Sequence, residues 1–232
     1  MIMTLTTATE QIYALLKAYP DLTVEKSDPD EVRLLGNIHI FRTALGFTLD
    51  SYYDIEIRIP IDSPKLPTVI DMGNAIEQSY PHRYTNGELC LETDTAVKLR
   101  FINGFNLLQW MDEYVEPYYF TYEYFMRFGS YPFGERPHGP EGVISTYQEL
   151  CHEEDLGKTF ILMMHCADES YRGHIHCPCG SGKKLRRCHG QYLFPLMTNP
   201  AIKEIIRSDV EPIRKAIIEN ASRNNRQETE FH

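Results

Sequence analysis

Tyr80-Pro81-His82-Arg83-Tyr84-Thr85-Asn86-Gly87-Glu88-Leu89-Cys90-Leu91 decides how this chain is read. Asn-Gly is a strong turn signal, so Asn86-Gly87 reverses the chain and presents Glu88 to Leu91 on an extended segment. The reversal returns His82 toward Cys90. A thiol used for acyl carriage must be reachable and needs to be deprotonated only at the moment of attack. A thioester also requires a donor where negative charge develops on its carbonyl oxygen. His82 offers an imidazole for that bond, or a base toward an incoming amine. The plain alternative leaves Cys90 as a small buried hydrophobe between two leucines and His82 as a structural residue.

Upstream, the spacing of Ile12, Leu15, Leu16 and Tyr19 predicts an amphipathic helix from about Thr7 to Tyr19, stopped by Pro20. Val32–Leu35, Ile38–Phe41 and Tyr52–Ile59 read as strands, the last alternating at Asp54, Glu56 and Arg58. Pro60, Pro64 and Pro67 then impose an extended, turning path. A helix followed by an antiparallel meander is an α+β order rather than a βαβ repeat.

Downstream of Cys90 the sequence predicts a polar loop. Asn106 to Phe128 is dense in aromatics and reads as a helix or helix pair interrupted at Pro117, packing aromatic mass on the sheet. Gly129 to Gly142 is a loop rich in glycine and proline, in which His138 is either a surface residue or one that approaches Cys90. A helical segment and an apolar run follow from Val143 to Cys166. Pro200 to about Asn220 carries isoleucines at helical spacing, interrupted at Pro212.

A chain of 232 residues with 42% apolar and 24% charged residues has the profile of one sizeable folded domain with an appendage. Its net charge of −10 argues against coating nucleic acid or anionic lipid. No apolar run approaches the roughly 18 residues of a membrane helix, and the first ten residues lack a signal-peptide pattern. Cytoplasm is the expected location. Three of the six cysteines crowd between positions 177 and 188, which in a reducing compartment suggests a metal site rather than disulfides.

That cluster is Cys177-Pro-Cys179, eight residues, then Cys188-His189. Four soft or borderline ligands in two tight pairs suit tetrahedral zinc, and a closed set of four leaves no position for substrate. Such an ion is structural and folds a segment too small to fold alone. Iron is the weaker alternative. A zinc hydrolase using His165, His174 or His176 is disfavoured by the closed set and the lack of a His-Glu-x-x-His motif. Lys183, Lys184, Arg186 and Arg187 lie in the intervening loop, either as a contact for an acidic protein surface or nucleic acid, of which the acidic chain favours the protein, or as a solvated loop. The segment closely resembles the SEC-C motif, a zinc knuckle appended to many unrelated proteins.

Ile57-Arg-Ile-Pro60, Pro64, Pro67-Thr-Val, Pro81-His82, Asn86-Gly87 and Leu89-Cys90-Leu91 together resemble the active-site region of ubiquitin-conjugating enzymes, over roughly residues 5 to 125. On that resemblance Cys90 falls on the catalytic cysteine and His82 on the family's asparagine. Tyr80 replaces the usual histidine, and the tryptophan often found shortly after the cysteine is missing. Histidine for asparagine, with Gly134-Glu-Arg-Pro-His-Gly139, looks like the bacterial branch found beside activating enzymes and cGAS-like nucleotidyltransferases in antiphage (CBASS-type) systems.

The resemblance implies an α+β ubiquitin-conjugating-enzyme-like fold over 1–142. A helical connector at 143–172, a zinc knuckle at 173–192 and a helical tail at 193–232 complete the expected division. It also implies a thioester on Cys90, an activating enzyme or other thioester donor as partner, and a cGAS-like nucleotidyltransferase or ubiquitin-like modifier and its target as recipients. The chain lacks a phosphate-cradling glycine loop and so is expected not to charge itself. Ending in Glu230-Phe231-His232, it is expected not to be the modifier. An inactive conjugating-fold adaptor, binding through its zinc knuckle, is the competing expectation.

Overall fold

The computed structural model describes residues 3–135, 137 and 139–229, with side chains through 215. His138 and the terminal Glu230-Phe231-His232 lie outside the described residues. The chain forms two compact units: Met1–Asp94 with Asn103–Glu135, and Thr95–Ile102 with Arg136–His232.

In the first unit α1 (Leu5–Ala18) is capped by Thr4, whose side chain accepts from the Thr7 N–H. It buries Ala8, Ile12 and Leu15 along one stripe. Strands β1 (Leu22–Ser27), β2 (Glu31–Ala44), β3 (Phe47–Pro60) and β4 (Thr68–Asp71) form an antiparallel sheet in sequential order. The two short runs expected at Val32–Leu35 and Ile38–Phe41 are one strand. β2 and β3 pair from Glu31↔Pro60 to Ala44↔Phe47 without a slip. Leu45-Gly46 closes the hairpin with both φ positive, a two-residue turn whose twist matches the strands. Val32, Leu34, Ile38 and Ile40 of β2 and Tyr53, Ile55, Ile57 and Ile59 of β3 are all buried, as period-two alternation requires.

Gly36 explains why β2 continues where its apolar run breaks. It pairs with Leu22 at the start of β1, has φ +151, and a Cβ placed there would stand 2.0 Å from the Asp21 carbonyl oxygen. The strand needs a residue without a side chain at that crossing.

The aromatic segment covers the sheet. It runs as α3 (Leu107–Trp110), a π-helical turn (Met111–Val115) and α4 (Glu116–Phe128). The expected interruption falls just before Pro117. There the Glu116 N–H reaches back five residues to Met111, and this wider turn accommodates the donor that proline lacks. Tyr119 packs on Tyr53 with ring centroids 4.1 Å apart, and Phe120 on Phe47 at 5.3 Å. Trp110, Tyr119 and Phe120 are buried. Tyr118 and Tyr122 join them in the core, while Phe128 at the end of α4 is exposed.

The second unit contains α2 (Asp94–Arg100), α5 (Gly139–Cys151), α6 (Leu156–Asp168), α7 (Gly190–Thr198) and α8 (Pro200–Thr229). The polar loop expected after Cys90 is corrected at α2. Its Thr95 is buried and, with the Tyr147 phenol of α5, donates to Asp209 of α8 at 2.8 and 2.7 Å. α8 also continues through Pro212 instead of breaking. Ile206 and Val210 bury its earlier turns against Leu162, Met163 and Leu193. Among the described residues no helix is long and apolar enough to cross a membrane.

Gly36→Ala is expected to lower stability by at least about 2 kcal/mol, because the strand crossing must open to admit a methyl group. Urea denaturation followed by circular dichroism measures it, and an unchanged midpoint would show that the β1–β2 crossing yields freely.

Candidate thiol site and metal centre

The thiol segment is a hairpin laid on the free edge of β4. Ile70 bridges Glu88, and the Leu89 N–H donates to the Val69 carbonyl at 2.8 Å. Within the hairpin Arg83 bridges Leu89, and Tyr84 N–H donates to Glu88 O at 2.9 Å. Gly87, with φ +87, makes the reversal. At its base the Cys90 N–H donates to the His82 carbonyl at 2.8 Å. The same carbonyl accepts the Tyr118 hydroxyl from α4 at 2.9 Å. Nearby, the Tyr122 hydroxyl accepts the Glu77 N–H at 3.1 Å, and the Arg83 guanidinium donates to the Ile76 carbonyl. The aromatic helix therefore fills the core with its rings, holds the hairpin through the Tyr118 hydroxyl and the segment before it through Tyr122.

His82 and Cys90 are thus joined through their backbones. The imidazole of His82 packs beside Tyr80 (5.4 Å) and Tyr131 (5.6 Å). The group that reaches the thiol is one the sequence reading passed over: Tyr84 donates its phenol to Cys90 Sγ at 3.3 Å. The fold brings them together: with Arg83 opposite Leu89, positions 84 and 90 lie on one face of the hairpin, a register that a two-residue turn at Asn86-Gly87 would not give. Cys90 is half-buried. Burial pushes its thiol up, the Tyr84 hydrogen bond pulls it down, and the carboxylates of Glu92 and Asp94 add to the rise. Burial and the two carboxylates thus favour the thiol over the thiolate. Tyr84 is itself raised, first by its bond to Cys90 and then by burial, so it stays a neutral donor.

The other isolated cysteines are different. Cys151 and Cys166 are fully buried, and desolvation pushes both thiols up to about 12. They belong to the core of the second unit.

Cys177, Cys179, Cys188 and His189 come together with their ligand atoms all within 4.8 Å of one another. Cys177 Sγ and Cys188 Sγ lie 3.3 and 3.4 Å from His189 Nδ1, and Cys179 Sγ lies 3.6 Å from Cys188 Sγ. A tetrahedral ion with sulfur ligands at about 2.3 Å spaces such atoms by about 3.5–3.8 Å, so the donor set fits a metal ion such as zinc. The backbone builds this cluster locally. Cys177 N–H donates to Lys183 O at 2.8 Å, Leu185 N–H to Ile175 O at 2.8 Å, and Leu185 is fully buried as the anchor. Gly180 and Gly182, at φ +79 and +73, turn the chain between the ligand pairs. Burial pushes the Cys177 thiol up to about 12. At Cys179 burial also opposes ionisation, but Ser181 and the neighbouring thiols outweigh it and bring the group to about 6. His174 and His176 are exposed and outside the cluster, and His165 lies on α6.

Residues 177–191 match the SEC-C motif family. No curated protein and no solved structure matches the chain.

Two outcomes follow. Iodoacetamide labelling of Cys90, followed by peptide mass against pH, is expected to show a midpoint above the ordinary thiol range. Tyr84→Phe should raise it further by removing the bond that favours the thiolate, and a lowered midpoint would contradict that role. Metal analysis of the purified protein is expected to find about one ion per chain, lost in Cys177→Ser.

Proposed function

We propose that the chain is a ubiquitin-conjugating-like transferase that carries an acyl group as a thioester on Cys90. One observation carries this: a half-buried thiol, contacted by a phenol, sits at the base of a hairpin on the edge of a four-stranded sequential meander. The order of α1, β1 to β4, thiol hairpin and later helices supports a ubiquitin-conjugating-like fold.

In charging, Cys90 Sγ bonds to the acyl carbon as the donor protein's S–C bond breaks, and the Cys90 proton ends on the departing donor thiol. In transfer, an acceptor nitrogen bonds to the acyl carbon, the Sγ–C bond breaks, and a proton from the amine returns to Cys90. No oxidant or reductant enters either step. His82 is assigned to oxyanion donation or to taking the amine's proton. The donor is an activating enzyme or another thioester carrier. The acyl group is the C-terminus of a cGAS-like nucleotidyltransferase or of a ubiquitin-like protein, and the setting is cytoplasmic antiphage defence of the CBASS type. The knuckle holds structural zinc, and its exposed Lys183, Lys184, Arg186 and Arg187 offer a docking contact for an acidic protein.

A second assignment, a non-catalytic adaptor of the same fold, is favoured by one observation. The thiol is raised by burial and by Glu92 and Asp94, which is unlike a permanently activated nucleophile.

Incubation with a ubiquitin-like modifier, its activating enzyme and ATP separates the two. The transferase forms a reductant-sensitive adduct of modifier mass that disappears in Cys90→Ala. An adduct that persists in Cys90→Ala removes the cysteine from the chemistry, and partner binding without any adduct identifies the adaptor.

A further inference from the structure

The loop between α5 and α6 carries a carboxylate outside the matched SEC-C segment. Glu153 Oε2 stands 3.5 Å from Nε2 of His189, the ring nitrogen opposite the one that faces the cysteine sulfurs. Both side chains are largely buried, 15% and 11% exposed. The carboxylate's other polar partner among the described residues is the Asp155 N–H, which donates to Oε1 at 3.2 Å. Oε2 is thus left for the imidazole.

The loop is fixed at several points. Glu153 N–H donates to Gln148 O at 3.2 Å, and its carbonyl accepts the Thr159 hydroxyl at 3.2 Å. Asp155 caps α6 through the Lys158 N–H at 2.8 Å. His152, at φ +53, stacks on Tyr192 with centroids 4.1 Å apart, and Tyr192 lies one turn beyond His189 in α7. On the other side Gly190 closes the approach, since a Cβ there would stand 2.6 Å from the Leu185 carbonyl oxygen. His189 is therefore clamped between a fixed loop and a glycine contact.

A neutral imidazole carries its single proton on either nitrogen, and only the unprotonated one ligates a metal. A carboxylate facing Nε2 keeps the proton there, which leaves the Nδ1 lone pair to the cluster and makes it a stronger donor. We infer that Glu153 is the positioning residue of the metal centre: it fixes His189 for ligation through Nδ1 and ties metal binding to the α5–α6 loop. This role rests on the metal reading of the knuckle. It goes beyond that reading by adding a residue that the knuckle itself does not contain.

The test is a double-mutant comparison on the full chain, with cobalt(II) as the probe and a chromophoric chelator as competitor. Glu153→Gln is expected to weaken cobalt affinity by about 10–100-fold. The same substitution in a His189→Cys background, where no imidazole is left to orient, is expected to change it less than about twofold. The cobalt absorption band of Glu153→Gln should keep its sulfur-to-metal character, because the thiolates remain. Equal weakening in both backgrounds would make Glu153 merely a fold residue and overturn the proposal. So would unchanged affinity in Glu153→Gln while the wild type binds one ion. A wild-type chain that takes up no cobalt or zinc would instead overturn the metal reading itself.

Discussion

The carbonyl oxygen of His82 is the point on which the thiol region depends. It accepts the Cys90 N–H from across the hairpin and the Tyr118 hydroxyl from α4. A carbonyl has two lone pairs, and filling both here ties a surface hairpin to a buried helix. Tyr118 meets the apolar and polar requirements together: its ring is buried and its hydroxyl ends on the hairpin. The neighbouring Tyr122 does the same for Glu77. A helix rich in leucine would fill the same volume but leave the hairpin unattached. Tyr118 and Tyr122 of α4 thus have a cause beyond packing.

What the sequence disclosed depended on how local each signal was. The α1 stripe, the β3 alternation and the turn at Asn86-Gly87 are short-range patterns, and the structure has all three. The metal ligands are also local, two pairs separated by one turn, and their convergence was legible from spacing alone. The single strand β2 was not, because Gly36 looks like a break until the Asp21 backbone is placed against it. Nor was α2: seven residues carry too little periodicity, and its buried Thr95 is held by Asp209, far along the chain. Pro117 and Pro212 mark helix breaks by local rule, yet a π-helical turn precedes the first and α8 runs through the second. Glu153 could not be read at all, since only the folded chain brings it to His189.

The two candidate centres treat sulfur in opposite ways. At the knuckle three thiols and an imidazole are packed within 4.8 Å, an arrangement that a cation stabilises by holding the sulfurs as thiolates. Cys90 is half-buried, with the carboxylates of Glu92 and Asp94 raising its thiol. The first environment suits permanent ligation and the second a thiol that rests uncharged. One chain therefore carries both kinds of sulfur site.

The resting state of Cys90 bears on how the proposed transfer would run. A thiol depressed to be a thiolate attacks many electrophiles, but as a leaving group it also gives up its acyl cargo to water. A thiol held up by burial is slow with stray electrophiles and forms a bond only when a partner brings an activated acyl group into contact. The Tyr84 phenol, neutral and already aimed at the sulfur, opposes the effect of burial without supplying a charge. Any partner that covers the hairpin would exclude water, strengthen the phenol's hydrogen bond and sharpen the repulsion from Glu92 and Asp94. A basic group on that partner would relieve the repulsion. In the proposed transfer, a donor with positive charge at its docking face would thus join encounter to activation of the thiol.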